Sequence, residues 1–161
     1  MVREAFENVK GQIGACGIWC GSCAVGNGSL RLASQRYAGV LESHGIETWA
    51  PPELDYKALT DGLSTVSDMA SCLGCRQGGG RSSCEMKACT AQHKLTDCSE
   101  CGQAACPHSE LLDSMRTGAL KAGLFVKTHP GDSASLIENW TSELASQFPS
   151  CLLFLPESTQ S

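Results

Sequence analysis

Ten of the eleven cysteines in this sequence fall into two runs whose short gaps are those of metal ligands. A Cys-x2-Cys pair directs two sulfur atoms at one ion from a tight turn, and a second pair completes a tetrahedron of four thiolates around zinc. The sequence therefore predicts that these ten thiols bind metal, with zinc as the expected cofactor and about two or three ions per chain. The first run is Cys16-x3-Cys20-x2-Cys23, and the second is Cys72-x2-Cys75-x8-Cys84-x4-Cys89-x8-Cys98-x2-Cys101-x4-Cys106.

The redox compartment decides between metal ligands and disulfides. Residues 1–10 are charged and contain no apolar run of signal-peptide length, which predicts a cytoplasmic protein. The longest strongly apolar stretch, residues 151–155, is far shorter than the roughly 20 residues of a membrane helix, so no membrane span is expected. In a reducing cytosol a dense Cys-x2-Cys pattern more often binds metal than forms disulfides. A disulfide framework and unliganded thiols are the alternatives.

The spacing leaves open which cysteines share an ion. The first predicted grouping joins the two Cys-x2-Cys pairs of the second run, namely Cys72, Cys75, Cys98 and Cys101. The alternative grouping uses consecutive ligands, with Cys72, Cys75, Cys84 and Cys89 on one ion and Cys98, Cys101 and Cys106 joined by a ligand from the first run. The first run is expected to act as a three-thiolate arm that ties the N-terminal segment to the second run. Since ten thiols do not divide into sets of four, a shared sulfur, a histidine or two free thiols must account for the remainder.

An iron-sulfur cluster with a redox or enzymatic role is the alternative to zinc. The first run has the spacing with which radical S-adenosylmethionine enzymes hold three irons, but those enzymes build a large α/β barrel that the 138 residues after Cys23 are too few to form. Cys20-x2-Cys23 also has the spacing of a thioredoxin-type pair, without the βαβ context. Metal sensing or trafficking is a weaker alternative. No Ser/His/Asp, Cys/His or paired-carboxylate set is apparent, which favours a protein that is not an enzyme.

The net charge of −5 argues against nucleic acid as a partner, because nucleic-acid binding depends on positive charge. Each zinc held by four thiolates adds two further negative charges, so two such sites would bring the net charge to about −9. The cations of the second run, Arg76, Arg81, Lys87 and Lys94, are therefore expected to offset thiolate charge rather than to bind phosphate. Another protein is the expected partner, and the oligomeric state is left open.

Apolar residues between the cysteines recur at the helical interval, which predicts a small, mainly α domain over residues 1–161. Zinc-knuckle-like turns and irregular loops are expected in its cysteine-rich region, residues 14–117. Ser29 and Asp55 are predicted to cap two helices, and Asp132 or Ser133 a third. The predicted helices cover residues 30–44, 55–70 and 83–94, a segment after Pro107, and residues 132–148.

The remaining segments predict connections and little β structure. Residues 46–52 contain two adjacent prolines and are predicted to be a linker. Residues 77–81 are glycine-rich but are not followed by Gly-Lys-Ser/Thr, so they are predicted to be a mobile spacer rather than a phosphate-binding loop. The two strand candidates are residues 123–127 and 150–155, and the tail after Pro156 is predicted to be disordered.

The histidines and the eleventh cysteine have simpler interpretations. His93 and His108 lie within or beside the second run, and whether either is a ligand is left open, with an exposed helical histidine as the simpler alternative. His44 is predicted to interact with the dipole at a helix end. Cys151 lies in an apolar segment far from the other cysteines, so it is predicted to be a small buried hydrophobic residue.

The order of these motifs resembles a cysteine-rich family of bacteria and archaea that is catalogued as a domain of unknown function and is taken to bind zinc. Its members carry CGxxCxxC near the N-terminus, a CxGCR knuckle, and CxxC followed by Phe-Pro-Cys. The matching segments are Cys16-Gly17-Ile18-Trp19-Cys20-Gly21-Ser22-Cys23 and Cys72-Leu73-Gly74-Cys75-Arg76. The resemblance covers residues 14–117 and departs from the pattern at Ala104-Ala105-Cys106-Pro107. It implies a prokaryotic origin and metal binding, and it does not supply a reaction.

Overall fold

The computed structural model describes residues 2–147, and within that range the chain is mainly α-helical, as the apolar pattern predicts. Three short 3-10 turns, Cys20–Ser22, Cys75–Gln77 and Cys98–Glu100, each begin at a cysteine. No helix in the described residues is long and apolar enough to cross a membrane. The helices are α1 (Val2–Lys10), α2 (Ser29–Ser43), α3 (Ile46–Trp49), α4 (Tyr56–Ser67), α5 (Glu85–Gln92), α6 (Ser109–Lys121) and α7 (Ser133–Gln147).

Five of these helices, α2 and α4 to α7, lie where the periodicity predicts helices. The Asp55 carboxylate accepts a hydrogen bond from the Ala58 N–H at 2.9 Å and so caps α4 as predicted. The Asp132 carboxylate accepts from the Ala134 N–H at 3.0 Å at the start of α7. Both side chains satisfy N–H groups that a first helical turn leaves without a partner.

The predicted cap of α2 is wrong. Ser29 is the first residue of that helix, and its own N–H donates to the Asn27 side-chain oxygen at 3.0 Å. Asn27 is better placed because its side chain is buried and is held by a hydrogen bond to the Gly21 carbonyl at 2.9 Å. Gly28, with φ of 80°, then turns the chain into α2 in a conformation that favours glycine.

Two short helices fall outside the predicted ones. Helix α3 is a single turn inside residues 46–52, which the sequence predicts to be a linker. Helix α1 has no counterpart among the predicted helices, and it buries Phe6 and Val9. The strand candidate at 150–155, the interpretation of Cys151 and the predicted tail lie outside the described residues.

Trp19 is the centre of one hydrophobic core and is fully buried. Its indole N–H donates to the Lys10 carbonyl at 2.7 Å, which satisfies the polar atom of the ring. The rings of Phe125 and Trp140 lie 5.9 and 6.0 Å from the Trp19 ring, and the Phe6 ring lies at 6.5 Å. This cluster joins α1, α7 and the segment before α7.

The chain from residue 12 to residue 20, here called the central segment, connects these parts through its backbone. The Ala15 carbonyl accepts from the Cys98 N–H at 2.8 Å, and the Trp19 N–H donates to the Phe125 carbonyl at 2.9 Å. Ile18 also forms an isolated antiparallel bridge with Val126, within the strand candidate at 123–127. The central segment therefore fixes the positions of cysteines in both runs.

Gly17 is a position in the central segment where only glycine fits. Its φ is 91°, and a Cβ atom there would lie 2.3 Å from the Lys127 carbonyl oxygen. Gly17→Ala is therefore expected to lower the free energy of unfolding by about 2 kcal/mol or more, since the left-handed backbone alone costs roughly 1–2 kcal/mol for a residue with a Cβ. Urea unfolding followed by circular dichroism measures this change.

The matched control for that prediction is Gly118→Ala. Gly118 lies in α6, and nothing comes within 4 Å of a Cβ added there. Alanine is favoured over glycine inside a helix by roughly 0.5–1 kcal/mol, so this variant should be slightly more stable than the parent chain. Equal effects of the two substitutions would contradict the structural account of Gly17.

Candidate metal centre

The ten described cysteines are all free thiols, and none of them is joined to another in a disulfide. Cys16 is buried, and the other nine are partly exposed. Nine of them form two groups of neighbours whose members come from distant parts of the chain, and the tenth, Cys101, follows Cys98 in its Cys-x2-Cys turn. We call these the first thiol group (Cys20, Cys23, Cys72, Cys75) and the second thiol group (Cys16, Cys84, Cys89, Cys98, Cys106).

Cys20 defines the first thiol group. Burial raises the pKa of its thiol, and a backbone hydrogen bond from Cys75 acts in the opposite direction. The neighbouring sulfur atoms of Cys75, Cys72 and Cys23 raise the pKa further, because each would repel a thiolate on Cys20. The Cys20-x2-Cys23 pair of the first run therefore faces the Cys72-x2-Cys75 pair of the second run.

Tight backbone turns position both pairs of the first thiol group. The Cys23 N–H donates to the Cys20 carbonyl at 3.1 Å and closes a 3-10 turn. On the opposite side the Gly79 N–H donates to the Gly74 carbonyl at 2.9 Å, and a Cβ on Gly79 would lie 2.8 Å from the Cys72 sulfur. The backbone thus curls closely around the Cys72 thiol.

Gln12 is a connecting residue of the first thiol group that is not among the predicted site residues. Its side-chain amide donates to the carbonyls of Asn8 and Leu73 at 2.7 and 3.0 Å. The side chain is buried, and a Cβ on Gly74 would lie 2.3 Å from its oxygen. The sequence around Gln12 does not indicate that it connects these segments, because Leu73, which accepts its hydrogen bond, lies 61 residues away.

Part of the second thiol group lies in an apolar cluster with Met86, which is only 1% exposed. Cys16 belongs to this buried cluster, and Cys84 and Cys98 pack against it, as does Cys75 of the first thiol group. The Cys98 and Met86 sulfur atoms lie 3.9 Å apart. Because this environment is apolar, burial raises the pKa of Cys98 to about 11, although the Arg116 guanidinium opposes the shift.

Cys16 and Cys98 link the remaining members of the second thiol group. Burial also raises the pKa of Cys16, whose sulfur has Cys75 and Cys84 as neighbours. Cys98 has Cys89, Cys16 and Cys106 as its cysteine neighbours. The Cys101 N–H donates to the Cys98 carbonyl at 3.4 Å, which closes the turn of that Cys-x2-Cys pair.

The two thiol groups differ from the predicted groupings of ligands. Cys20 and Cys23 lie in the first thiol group, whereas Cys16 has one neighbour in each group, Cys75 in the first and Cys84 in the second. That the first run acts as one arm stays a prediction. Cys98 has neighbours other than the Cys72 pair, so the quartet suggested by spacing stays a prediction. In residues 2–147, no three or more His, Cys, Asp or Glu side chains have the arrangement of a metal site. The thiols lie near one another without forming a closed ligand set.

Cations near the thiols hold the backbone. The Arg76 guanidinium donates to the carbonyls of Ile13 and Thr96, and the Lys87 amine donates to the Gly79 carbonyl at 2.6 Å. Arg116, the cation beside Cys98, is not among the cations singled out in the sequence. Its position one helical turn after the buried Leu112 in α6 is the signal that could have identified it.

A buried ion pair supports the Cys98 turn. The Lys127 amine lies 2.9 Å from an Asp97 carboxylate oxygen, and both side chains are almost fully buried. The other Asp97 oxygen accepts from the Ser99 N–H at 2.8 Å, and the Lys127 amine donates to the Ser133 hydroxyl at 3.2 Å. Burial alone would raise the pKa of Asp97, but the Ser99 and Lys127 hydrogen bonds outweigh it and hold that pKa below its usual value.

The two histidines left open by the sequence line one cavity beside the second thiol group. This cavity has a volume of about 370 Å³, and Cys89 contributes to its wall together with His93 and His108. The His108 Nδ1 atom lies 3.1 Å from a Glu85 carboxylate oxygen. His93 is exposed at the end of α5.

Comparison with protein families matches residues 12–111 to a family described as a protein of unknown function, DUF3795. That range contains both cysteine runs, so the resemblance to a cysteine-rich family of unknown function is confirmed. No curated protein and no solved structure gives a significant match.

Proposed function

This chain belongs to the family of unknown function DUF3795, and we propose that it binds zinc through its two thiol groups. The ions would be structural, and each would hold together segments that are far apart in the sequence. The proposed ligands are the nine cysteines of the two thiol groups and Cys101, which lies in the turn that begins at Cys98.

The observation that carries this proposal is the composition of the first thiol group. It brings two Cys-x2-Cys pairs from different runs to the same place, with Cys20 beside Cys72 and Cys75. Four thiolates from two such pairs complete a tetrahedral zinc site and leave no position for a substrate. This chemistry supports a structural ion rather than a catalytic one.

The environment of the second thiol group supports the same proposal. Several thiols are crowded against Met86 in an apolar cluster, where each isolated thiolate would be costly. A bound divalent cation removes that cost, because it favours the deprotonated sulfur and offsets its charge. The nearby Arg116 supplies only one positive charge to this group.

The hairpin formed by α2 and α4 fits the role of an interaction module. The Arg31 guanidinium ties the two helices together through hydrogen bonds to the Ser67 carbonyl at 2.9 Å and the Ser71 hydroxyl at 3.2 Å. The hairpin leaves Tyr37 51% and Trp49 66% exposed, and aromatic side chains of this kind are enriched at protein interfaces. We therefore propose another protein as the partner.

Elemental analysis of protein purified without oxygen, together with its visible spectrum, tests the proposal. We expect a colourless protein that retains about two zinc ions per chain after dialysis. Brown protein that contains iron and bleaches on reduction would replace zinc with an iron-sulfur cluster. A fully reduced chain that retains no metal would refute the proposal.

A further inference from the structure

The far end of the α2–α4 hairpin, residues 37–55, is here called the hairpin tip, and it presents an exposed apolar surface. Tyr37 and Trp49 lie on it, together with Val40, which is 50% exposed. Leu54 adds a fourth large apolar side chain, 39% of which is exposed. Exposed apolar side chains that share one small part of the chain mark interaction sites more often than scattered ones do.

Trp49 is held in place although most of its side chain is exposed. Its indole N–H donates to the His44 carbonyl at 3.0 Å, which ties α3 to the end of α2. The Thr48 hydroxyl donates to the Gly45 carbonyl at 2.8 Å at the start of the same turn. A ring that is already held loses little conformational entropy when a partner covers it, so Trp49 is suited to anchor an interface.

The hairpin tip is strongly acidic. Residues 37–55 contain four acidic side chains and no lysine or arginine, which gives the tip a formal charge of −4 with His44 neutral. Lys57, the lysine that follows the tip, forms an ion pair with Asp61 and not with the tip. The four acidic residues, all exposed, are Glu42, Glu47, Glu53 and Asp55.

We propose that the hairpin tip binds a basic segment of another protein, in which arginines alternate with apolar side chains. The apolar side chains of that segment would cover Val40 and Leu54, and its arginines would pair with the carboxylates of the tip. A guanidinium also stacks favourably on the face of a tryptophan, which Trp49 offers. Opposite charges on the two surfaces speed their encounter and select the partner.

The same charge argues against other occupants of the tip. A second copy of the chain, paired through the same surface, would bring two tips of charge −4 together, and like charges across an interface are costly. Nucleic acid would be repelled as well, because its phosphates are negative. A basic protein segment satisfies both the apolar surface and the carboxylates.

The hairpin carries its tip away from the thiol groups. At its base, Arg31 contacts Ser67 and Ser71, and Ser71 directly precedes Cys72 of the first thiol group. Helix α2 has 15 residues and is therefore roughly 20 Å long. The inference rests on the interaction module proposed above: a zinc ion in the first thiol group would hold the base of the hairpin and leave the tip free for the partner.

Fluorescence anisotropy of a labelled synthetic peptide that repeats arginine, leucine and glycine, added to the full-length chain, tests the proposal. We expect saturable binding that weakens as salt is added, because salt screens the attraction between exposed charges. A peptide with glutamate in place of arginine should not bind. Trp49→Ala should weaken binding at least about tenfold, and Glu47→Gln combined with Glu53→Gln about fivefold or more.

Matched controls come from α6. Leu120→Ala removes an apolar side chain that is 58% exposed, and Glu110→Gln combined with Asp113→Asn removes two exposed charges. These variants should bind the peptide as well as the parent chain does. The inference is overturned if the peptide does not bind, or if the α6 variants weaken binding as much as the tip variants do. Self-association of the chain that Trp49→Ala abolishes would also overturn it, in favour of a second copy.

The zinc content of the same samples separates this inference from the structural proposal. A chain that retains zinc but does not bind the peptide overturns the inference about the hairpin tip alone. A chain that binds the peptide through Trp49 without any metal refutes only the structural zinc sites. Each of the two proposals can therefore fail without the other.

Discussion

Cys20→Ser and Cys75→Ser are each expected to remove one metal ion, and the double variant should lose no more than either alone. The reason is that both thiols are assigned to one ion, which needs all four of its ligands. A structural zinc contributes on the order of 10 kcal/mol in small zinc-binding peptides, so the loss of stability should exceed the roughly 0.5–3 kcal/mol of most substitutions. Metal content and urea unfolding, measured on the same samples, give the two readouts.

A double-mutant cycle across the two thiol groups is the control. Cys20→Ser and Cys98→Ser should have independent effects on metal content, because the two thiols belong to different groups. The opposite pattern, with Cys75 and Cys98 coupled and Cys20 and Cys75 independent, would support the quartet suggested by spacing instead. Cys151→Ser should leave the metal content unchanged.

Lys127→Met is expected to lower the free energy of unfolding by about 3–5 kcal/mol. The substitution leaves the Asp97 carboxylate buried without its cation, and an uncompensated buried charge is far more costly than a lost surface ion pair. The loss should also loosen the Cys98 turn and the start of α7, since Lys127 contacts Ser133. Urea unfolding measures the first effect, and hydrogen exchange of the Ser99 N–H measures the second.

Lys121→Met provides the comparison for that prediction. Lys121 is an exposed lysine at the end of α6, so its replacement should change stability by less than about 0.5 kcal/mol. A Lys127→Met variant as stable as Lys121→Met would show that the buried pair contributes little. In that case Lys127→Met combined with Asp97→Leu should be no more stable than Lys127→Met alone.

Local signals account for the elements that sequence predicts well. The caps at Asp55 and Asp132 work through hydrogen bonds to residues two or three positions away, so they can be recognised without knowing the fold. Helix α1 is only nine residues long, but Val2, Phe6 and Val9 recur at intervals of four and three, so a local signal for it is present in the sequence. The cap of α2, by contrast, depends on the burial of Asn27, which is a tertiary effect.

The candidate metal centre likewise combines features that the local sequence determines with features that depend on the tertiary fold. The Cys-x2-Cys turns at Cys20 and Cys98 are local and follow from spacing. Which turns face each other depends on the path of the central segment, whose partners lie in α6 and before α7. Spacing contains no information about that path, so the position of Cys16 beside both Cys75 and Cys84 could not be predicted from it.

The central segment also sets the order in which this protein can fold while a ribosome makes it. The Cys16 carbonyl accepts a hydrogen bond from Arg116 at 2.9 Å, across a separation of 100 residues. At a translation rate of about 5–20 residues per second, that partner emerges roughly 5–20 seconds after Cys16. Cys72 and Cys75, the neighbours of Cys20, emerge well before Arg116. The first thiol group can therefore assemble before α6 packs against the central segment.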